Sequence, residues 1–552
     1  MKMVEIRIGM KKPGAGIGAL VGALVTVPIV VLFLVAGRLF GLPVAPFDLF
    51  DWTTRRLPGG LVNFGIDAMV RTIGALGLTG TDTVAKAAEQ AMAIGLSLVA
   101  GTIAGSLLFL LLRRSGRDRA PLAGLLLGAA AGAAALLIRH ALGRGAAGTS
   151  AVGSPWTFAL FLCWGGGLGW AYRRLTRADG WAAPSVAGES GSAVERLDRR
   201  RFVVRLGGAA ATVTVVGATL GALAGASRRR GAAGGRGRVW SADNPLPNAG
   251  AAIEPAPGTR RELTPLEDHY RIDINTTVPA VDGAAWRLKV GGLVEQPVEL
   301  TLRQLMDYEP LHQFVTLACI SNPVGGSLIG TTRWTGVSLQ RVLPDLKLKP
   351  GATHLKLSAA DGFYEVVALE TVRADERVML AYAWDGLPLE PKHGFPLRIY
   401  IPDLYGMKQP KWIQSIDVLD HWEEGYWVER GWDRTARMKA ASVIDTVSVD
   451  KPSKATADAA ARIPIGGIAH AGARGISRVE VRMDDGPWAD AKLRAPLSGT
   501  TWVLWRYDWP FVPGSHTFTV RCYDGQGVLQ IAEPAPPHPS GASGFHSKRR
   551  MV

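Results

Sequence analysis

The sequence predicts a multi-domain chain in three parts. An N-terminal all-α transmembrane bundle of about five helices covers 1–239, an α+β domain covers 240–436, and an immunoglobulin-like β-sandwich covers 437–552. Three observations carry this division. Long apolar runs are confined to the first part, short strand-like runs punctuated by turns fill the second, and alternating strand patterns alone fill the third. At 552 residues the chain has ample length for separate cores.

Charge divides at the same place. Lys and Arg total 62 against 47 Asp and Glu, for a net +15. Residues 1–239 hold 28 basic and 11 acidic side chains, and the remainder 34 and 36. An excess of this size first suggests nucleic acid. Confined to the apolar part, it reads instead as a topology signal, and no nucleic-acid partner is expected.

Segments 16–36, 91–112, 120–138 and 155–172 are long and apolar enough for a bilayer core, which takes roughly 20 helical residues. A fifth, 203–226, is weaker because Ala, Gly and Thr replace Leu. Small residues such as Gly124, Gly128, Gly132 and Gly217 let neighbouring helices approach closely. Basic clusters before the first span, between the second and third (Arg113, Arg114, Arg117, Arg119) and between the fourth and fifth fall on one side, the cytoplasm. An odd number of spans then puts the N-terminus in the cytoplasm and everything from Trp240 outside it. The expected location is the inner cell membrane, multi-pass, with lipid bilayer as a partner. Arg55, Arg56, Arg71, Arg139, Arg144 and the run 228–230 break the bias. The string Asp198-Arg199-Arg200-Arg201-Phe202-Val203-Val204 before a weak span resembles an internal twin-arginine export signal. Segment 228–238 then reads as a flexible linker.

Absences bound the chemistry. His140 is the only histidine before His269 and no Cys-x-x-Cys-His occurs, so no haem is expected. Three cysteines exclude a disulfide scaffold and any four-cysteine zinc or iron–sulfur site within the chain. Electrons must therefore pass to or from a partner, such as a cytochrome or another redox chain.

In the α+β part, strands are expected over 286–290, 313–317, 354–357 and 397–401, and helical turns over 300–305 and 339–343. Beyond it, 476–483 leads through Asp484-Asp485-Gly486-Pro487 into a returning strand over 488–493, followed by strands over 502–509 and 516–523. The stretch 534–543 reads as a Pro/Gly/Ser loop.

Cys319 lies in Thr316-Leu317-Ala318-Cys319-Ile320-Ser321-Asn322-Pro323-Val324-Gly325-Gly326, where a β run meets a polar, Gly-rich turn. Such a cysteine is placed as a low-pKa thiolate or a single-thiolate metal ligand. An inert core cysteine and a disulfide with Cys522 are the other readings. The run Lys392-His393-Gly394-Phe395-Pro396-Leu397-Arg398, then Gly406-Met407-Lys408-Gln409-Pro410-Lys411-Trp412, gathers cations among Gly and Pro. It suits a phosphate or polyanionic cofactor, or else a solvated basic loop.

Taken in order, His269-Tyr270-Arg271-Ile272-Asp273, the Gly291-Gly292 turn, the Cys319 run with Trp334-Thr335-Gly336, Asp361-Gly362-Phe363-Tyr364, the His393 to Trp412 runs and Gly541-Ala542-Ser543-Gly544-Phe545-His546 resemble the sulfite-oxidase family of molybdopterin oxidoreductases, most closely its membrane-anchored bacterial members. The resemblance covers about residues 255–550. It implies an enzyme with molybdenum held by a single molybdopterin and by Cys319. His393, Arg398, Lys408, Gln409 and Lys411 would hold the pterin and its phosphate, and Tyr270 and Arg271 would line the pocket. Arg271 is the candidate for an oxyanion substrate, Ser321 and Asn322 hold the cysteine loop, and Asp361 is a pocket residue. The sandwich resembles the family's dimerisation domain, which implies a homodimer. Pro323 and Val324 stand where sulfite oxidases carry a basic residue, and the family's active-site tyrosine aligns with Phe363 or Tyr364. The implied reaction moves an oxygen atom to or from a small substrate, sulfite-like or sulfoxide-like. Two other readings are a non-enzymatic binding module on a degenerate domain and a thiol redox protein.

Overall fold

The computed structural model describes residues 13–75, 81–115, 118–144, 152–176, 204–212, 214–216, 219, 245–449 and 462–552. The chain forms two compact units. One comprises residues 1–57 with 86–236, the other 58–85 with 237–552. The string 198–203 of the twin-arginine-like motif, the linker 228–238 and Gly217 lie outside the described residues.

In the first unit, α1 (Ala15–Phe40) and α5 (Ala120–Ala141) are largely apolar, as is most of α4 (Thr81–Ser115), over Val84–Arg114. Among the described residues these three are long and apolar enough to cross a membrane. The expected fourth span appears as the helix α6 (Gly153–Leu175), whose glycines and tryptophans make it less apolar than those three. Of the expected fifth, the described residues 204–212 and 214–216 are helical. The helices pack through glycine. A Cβ on Gly124 would run into the backbone of Gly165 and Gly169, and one on Gly22 into Gly101 and Gly105.

Helix α2 (Ala45–Arg56) was not foreseen. It buries Asp48 and Asp51, which meet Arg144, with Arg139 3.3 Å from Asp48. Two of the arginines that broke the charge bias therefore have carboxylate partners.

The second unit contains helix α3 (Gly59–Ala75) and four sheets. Strands β1 (Arg287–Gly292), β2 (Val298–Thr301), β5 (His354–Ala359), β6 (Tyr364–Ala368) and β10 (Ile413–Leu419) form one sheet in the order β2-β1-β10-β5-β6, with β1 and β10 parallel. Strands β3 (Pro310–Ala318), β4 (Ile329–Ser338), β7 (Met379–Trp384) and β8 (Leu387–Pro388) form a second, and β9 (Arg398–Tyr400) pairs with β7. The short α7 (Leu302–Met306) is opened by a capping box in which Thr301 and Gln304 satisfy each other's backbone amides.

Strands β11 (Ala441–Val447), β12 (Arg462–His470), β15 (Lys492–Leu493) and β16 (Val503–Pro510) form a third sheet. The fourth holds β13 (Ile476–Met483), β14 (Trp488–Asp490), β17 (Ser515–Asp524) and β18 (His546–Met551). Both contribute to one core, with Ile465 and Trp505 from the third and Val479 and Phe518 from the fourth, so the C-terminal part is a two-sheet sandwich. The single returning strand expected over 488–493 is two strands. Trp488–Asp490 pairs with β13 and Lys492–Leu493 with β16, so the chain changes sheet at Ala491.

Candidate functional site

Strand β3 delivers the chain to Cys319, and backbone bonds hold the turn that follows. Cys319 N donates to Leu328 O at 2.9 Å and Asn322 N to Cys319 O at 3.1 Å. The Asn322 carboxamide oxygen accepts Leu328 N at 2.8 Å, closing the loop from its far side. Ser321 Oγ lies 3.0 Å from the Cys319 sulfur. Ser321 and Asn322 thus sit where they can hold the cysteine loop. The three cysteines are free, so the disulfide reading with Cys522 does not hold. Cys522 is instead fully buried in the sandwich core. Burial pushes the Cys319 thiol up, and the Ser321 contacts offset this only partly. The low-pKa thiolate expected from the sequence is therefore not a property of the protein alone. A bound cation would supply the missing drive to deprotonate it.

Cys319 shares a core with Tyr270, Leu317, Trp334, Trp384 and Tyr400. Trp334 of β4 and Trp384 of β7 are direct cross-strand partners. Arg398, at the start of β9, lies against both indoles, its guanidinium carbon 4.6 Å from the ring centre of Trp334 and 5.3 Å from that of Trp384. Its Nη1 donates to His393 O at 3.0 Å. Burial lowers Arg398 to about 10. The His393 ring stands 4.8 Å from Trp384 and 5.5 Å from His269, which in turn stacks on Tyr270 at 5.2 Å. Burial among Arg398, Lys392 and Lys411 keeps both imidazoles neutral, with His269 lowered to about 3.

A charged layer adjoins this aromatic wall. Asp273 accepts from Arg271 Nε at 2.7 Å and from Lys411 Nζ at 3.1 Å. Burial lowers Lys411 to about 8, with Asp273 opposing the shift. Asp361 is buried, accepts from Asn275 at 2.9 Å and holds its own turn through Phe363 N at 3.0 Å. Lys408 points its ammonium to Glu365 at 2.8 Å in a deeply buried ion pair, so its charge is committed there. The Gln409 amide donates to Ile401 O and Leu404 O, leaving its Oε1 without a partner. Arg271, expected to face an oxyanion, is engaged with Asp273.

Sequence reading gave no role to His269, Asp273, Trp334, Trp384 or Glu365. The two motif neighbours His269 and Asp273 could have been found beside Tyr270 and Arg271. The Trp334–Trp384 pair could not, because the two residues lie fifty positions apart on strands that only the sheet register brings together.

Unsatisfied polar atoms collect around Cys319. Nε2 of His269 and His393, Nε1 of Trp334 and Trp384, Nε of Arg398 and Oε1 of Gln409 are buried without a hydrogen-bond partner. Native interiors rarely leave such atoms unpaired, and a local concentration marks the seat of a polar group. Among the described residues no group of three or more His, Cys, Asp and Glu side chains could hold a metal ion. One soft thiolate with many nitrogen donors and flanking cations suits a metal that brings most of its own ligands on a polar, anionic organic group. Molybdopterin meets that description, and the residues fit it.

Residues 275–427 match the oxidoreductase molybdopterin binding domain. The chain is 31% identical to the uncharacterised oxidoreductase YuiH of Bacillus subtilis, over 27% of this chain and 74% of that protein. It is 30% identical to a protein of Azospira oryzae named "putative protein-methionine-sulfoxide reductase subunit YedZ1", over 34% and 68%. Mitochondrial sulfite oxidase of Macaca fascicularis is 27% identical over 44% and 53%. The chain spans about a third of the length of the nitrate reductases it also matches. With the cysteine loop, the cationic wall and these relatives in agreement, the chain belongs to the sulfite-oxidase family of molybdopterin oxidoreductases.

Proposed function

We propose that this molybdenum-dependent oxidoreductase transfers an oxygen atom to or from a small sulfur-containing substrate, and that a sulfoxide-like compound suits it better than sulfite. The observation that carries the proposal is that the free Cys319 thiol shares one core with Trp334 and Trp384, and that His269, His393 and Arg398, each with an unsatisfied buried nitrogen, lie against those two indoles. Cys319 would hold the metal, while His393, Arg398, Lys411 and Gln409 would hold a single pterin and its phosphate, with Tyr270 lining the pocket. The bound molybdenum supplies the oxygen-accepting and oxygen-donating chemistry. The protein binds, orients and balances charge.

Local charge supports the uncharged substrate. A cleft lined by Pro323, Val324, Gly325, Tyr405, Arg260 and His470 adjoins the cysteine loop. Arg260 is held bidentately by Asp445, and Arg271 by Asp273. The arginine that lines this cleft is thus offset by a carboxylate, as is Arg271 beside the aromatic wall, which favours a neutral S=O group over a dianion. Reducing a sulfoxide consumes two electrons and two protons and releases a sulfide and water. With three cysteines and no Cys-x-x-Cys-His in the chain, those electrons come from a separate redox chain, such as a cytochrome.

The N-terminal part is read as a five-span anchor in the inner membrane, with the N-terminus cytoplasmic and the catalytic domains outside. The placement of α3 supports this topology. It lies in the sequence between α1 and α4, yet its Asn63 donates to Arg430 O at 2.8 Å. The segment that holds α3 and the catalytic residues thus belong to one compact unit. The sandwich is read as immunoglobulin-like and as the surface of a homodimer. Molybdenum and pterin assays on the purified protein, with Cys319→Ser alongside, followed by a screen of sulfite against sulfoxides, test the proposal. Wild-type protein without molybdenum would overturn it.

A further inference from the structure

We infer that helix α3 forms part of the outer wall of the oxidoreductase site and that Asn63 is a positioning residue for substrate. This inference rests on the oxidoreductase reading above and adds an element from the segment between α1 and α4.

Asn63 uses both ends of its carboxamide. Its Nδ2 donates to Arg430 O at 2.8 Å and meets His538 Nε2 at 3.2 Å, while its Oδ1 accepts from Trp432 Nε1 at 3.1 Å. One side chain thereby ties two separate segments, 425–432 and the loop around His538. Those segments also hold each other, since Asp433 N donates to Pro539 O at 3.1 Å and the His538 ring stands edge-on to Trp432 at 5.0 Å. The approach is close. A Cβ on Gly59, in the first turn of α3, would lie 2.8 Å from Arg430 Cα, so only glycine fits there without a shift.

Segment 425–432 reaches the candidate site by two routes. Trp432 packs in the same core as Ala318 and Ile320, the residues on either side of Cys319. Arg430 lies 3.7 Å over the Tyr426 ring and donates to Tyr426 O at 2.6 Å. The Tyr426 ring then meets Phe363 at 5.5 Å, and Phe363 N is held by the buried carboxylate of Asp361. Asn63 is thus joined through Trp432 to the cysteine loop and through Arg430 and Tyr426 to the Asp361 turn. It touches neither Cys319 nor the cationic wall, so its effect falls on the shape of the approach and not on cofactor capture.

The test uses the full detergent-solubilised chain with Asn63→Ala and Asn63→Asp. Alanine favours the helix and leaves no buried charge, so folding of α3 is preserved. Amide hydrogen exchange over 426–433 and 536–541 should speed up by roughly tenfold in Asn63→Ala, as expected for loss of a partly buried three-way hydrogen-bond clamp. Asn63→Asp, which keeps the acceptor for Trp432, should fall between. In sulfoxide turnover KM should rise roughly three- to tenfold with kcat changed far less, and molybdenum content should match wild type. Unchanged exchange overturns the inference, because Asn63 is then not a clamp. Faster exchange with KM and kcat both unmoved also overturns it, because the clamp is then structural only. Metal analysis of the wild-type preparation reports on the oxidoreductase reading separately from either result.

Discussion

Lys411 extends its ammonium to 3.1 Å from the Asp273 carboxylate, the same carboxylate that Arg271 grips at 2.7 Å. One acid therefore pairs with two cations beside the aromatic wall. Lys411 is lowered to about 8 from an ordinary 10.5 by burial, with Asp273 resisting. Asp273→Asn should lower it further and leave less of it charged at neutral pH. Retention of a phosphate-bearing cofactor should fall by roughly tenfold, read as pterin released on dilution.

The pH dependence separates two effects of opposite sign. Between about 8 and 10.5 the unfolded chain holds the Lys411 proton more tightly than the folded one. This group's contribution to the stability of cofactor-free protein therefore rises with pH across that window. Its hold on an anion does the reverse, weakening as pH passes 8 and the ammonium is lost. Thermal midpoints of cofactor-free protein and pterin retention of loaded protein, both taken from pH 7 to 10, should diverge.

Cys319→Ser should abolish molybdenum retention while leaving the fold intact. The serine hydroxyl is a far poorer soft-metal ligand, whereas its volume suits the cavity and Ser321 Oγ remains within hydrogen-bond reach. Activity should drop by roughly 100-fold or more, with far-ultraviolet circular dichroism unchanged. Ser321→Ala should have a milder effect, because the loop retains its Leu328 bonds.

Much of this was legible in the sequence because it was local. The strand ending at Cys319, the Asn322 turn and the cations from His393 to Lys411 lie in short runs whose residue types announce their chemistry. The sandwich's β13, β16 and β17 followed from alternation, but β18 (His546–Met551) is mostly polar and stays hidden until it pairs with β17. Long-range events were not readable. Nothing near Lys408 in the chain shows that its charge is spent on Glu365, and nothing near Arg139 or Arg144 points to Asp48. Helix α3 was passed over because its sequence is neither apolar enough for a span nor strand-like, and its role is set by a contact 367 residues away.

Arg398→Lys should be far from neutral. The planar guanidinium lies against Trp334 and Trp384 and reaches His393 O from the same position. A lysine ammonium can keep the charge but cannot satisfy both indole faces and the carbonyl together. Cofactor retention should weaken by roughly five- to tenfold, about 1 kcal/mol, measured as pterin loss during dialysis. Trp334→Phe, which keeps a weaker π face and removes one unsatisfied Nε1, should weaken it less.

The Glu365–Lys408 pair offers a prediction about stability apart from chemistry. Both side chains are almost wholly buried, and a Cβ on Gly425 would collide with the Glu365 carboxylate. Removing one partner strands the other charge, so Lys408→Met alone should destabilise by about 3–5 kcal/mol. Glu365→Gln combined with Lys408→Met removes both charges and should recover most of that loss. Thermal unfolding of the three proteins decides the matter. If the double variant keeps its molybdenum and pterin, Lys408 acts through the fold and not as a phosphate ligand. If stability recovers while the pterin is lost, Lys408 also contributes to holding the cofactor, which its 2.8 Å bond to Glu365 argues against.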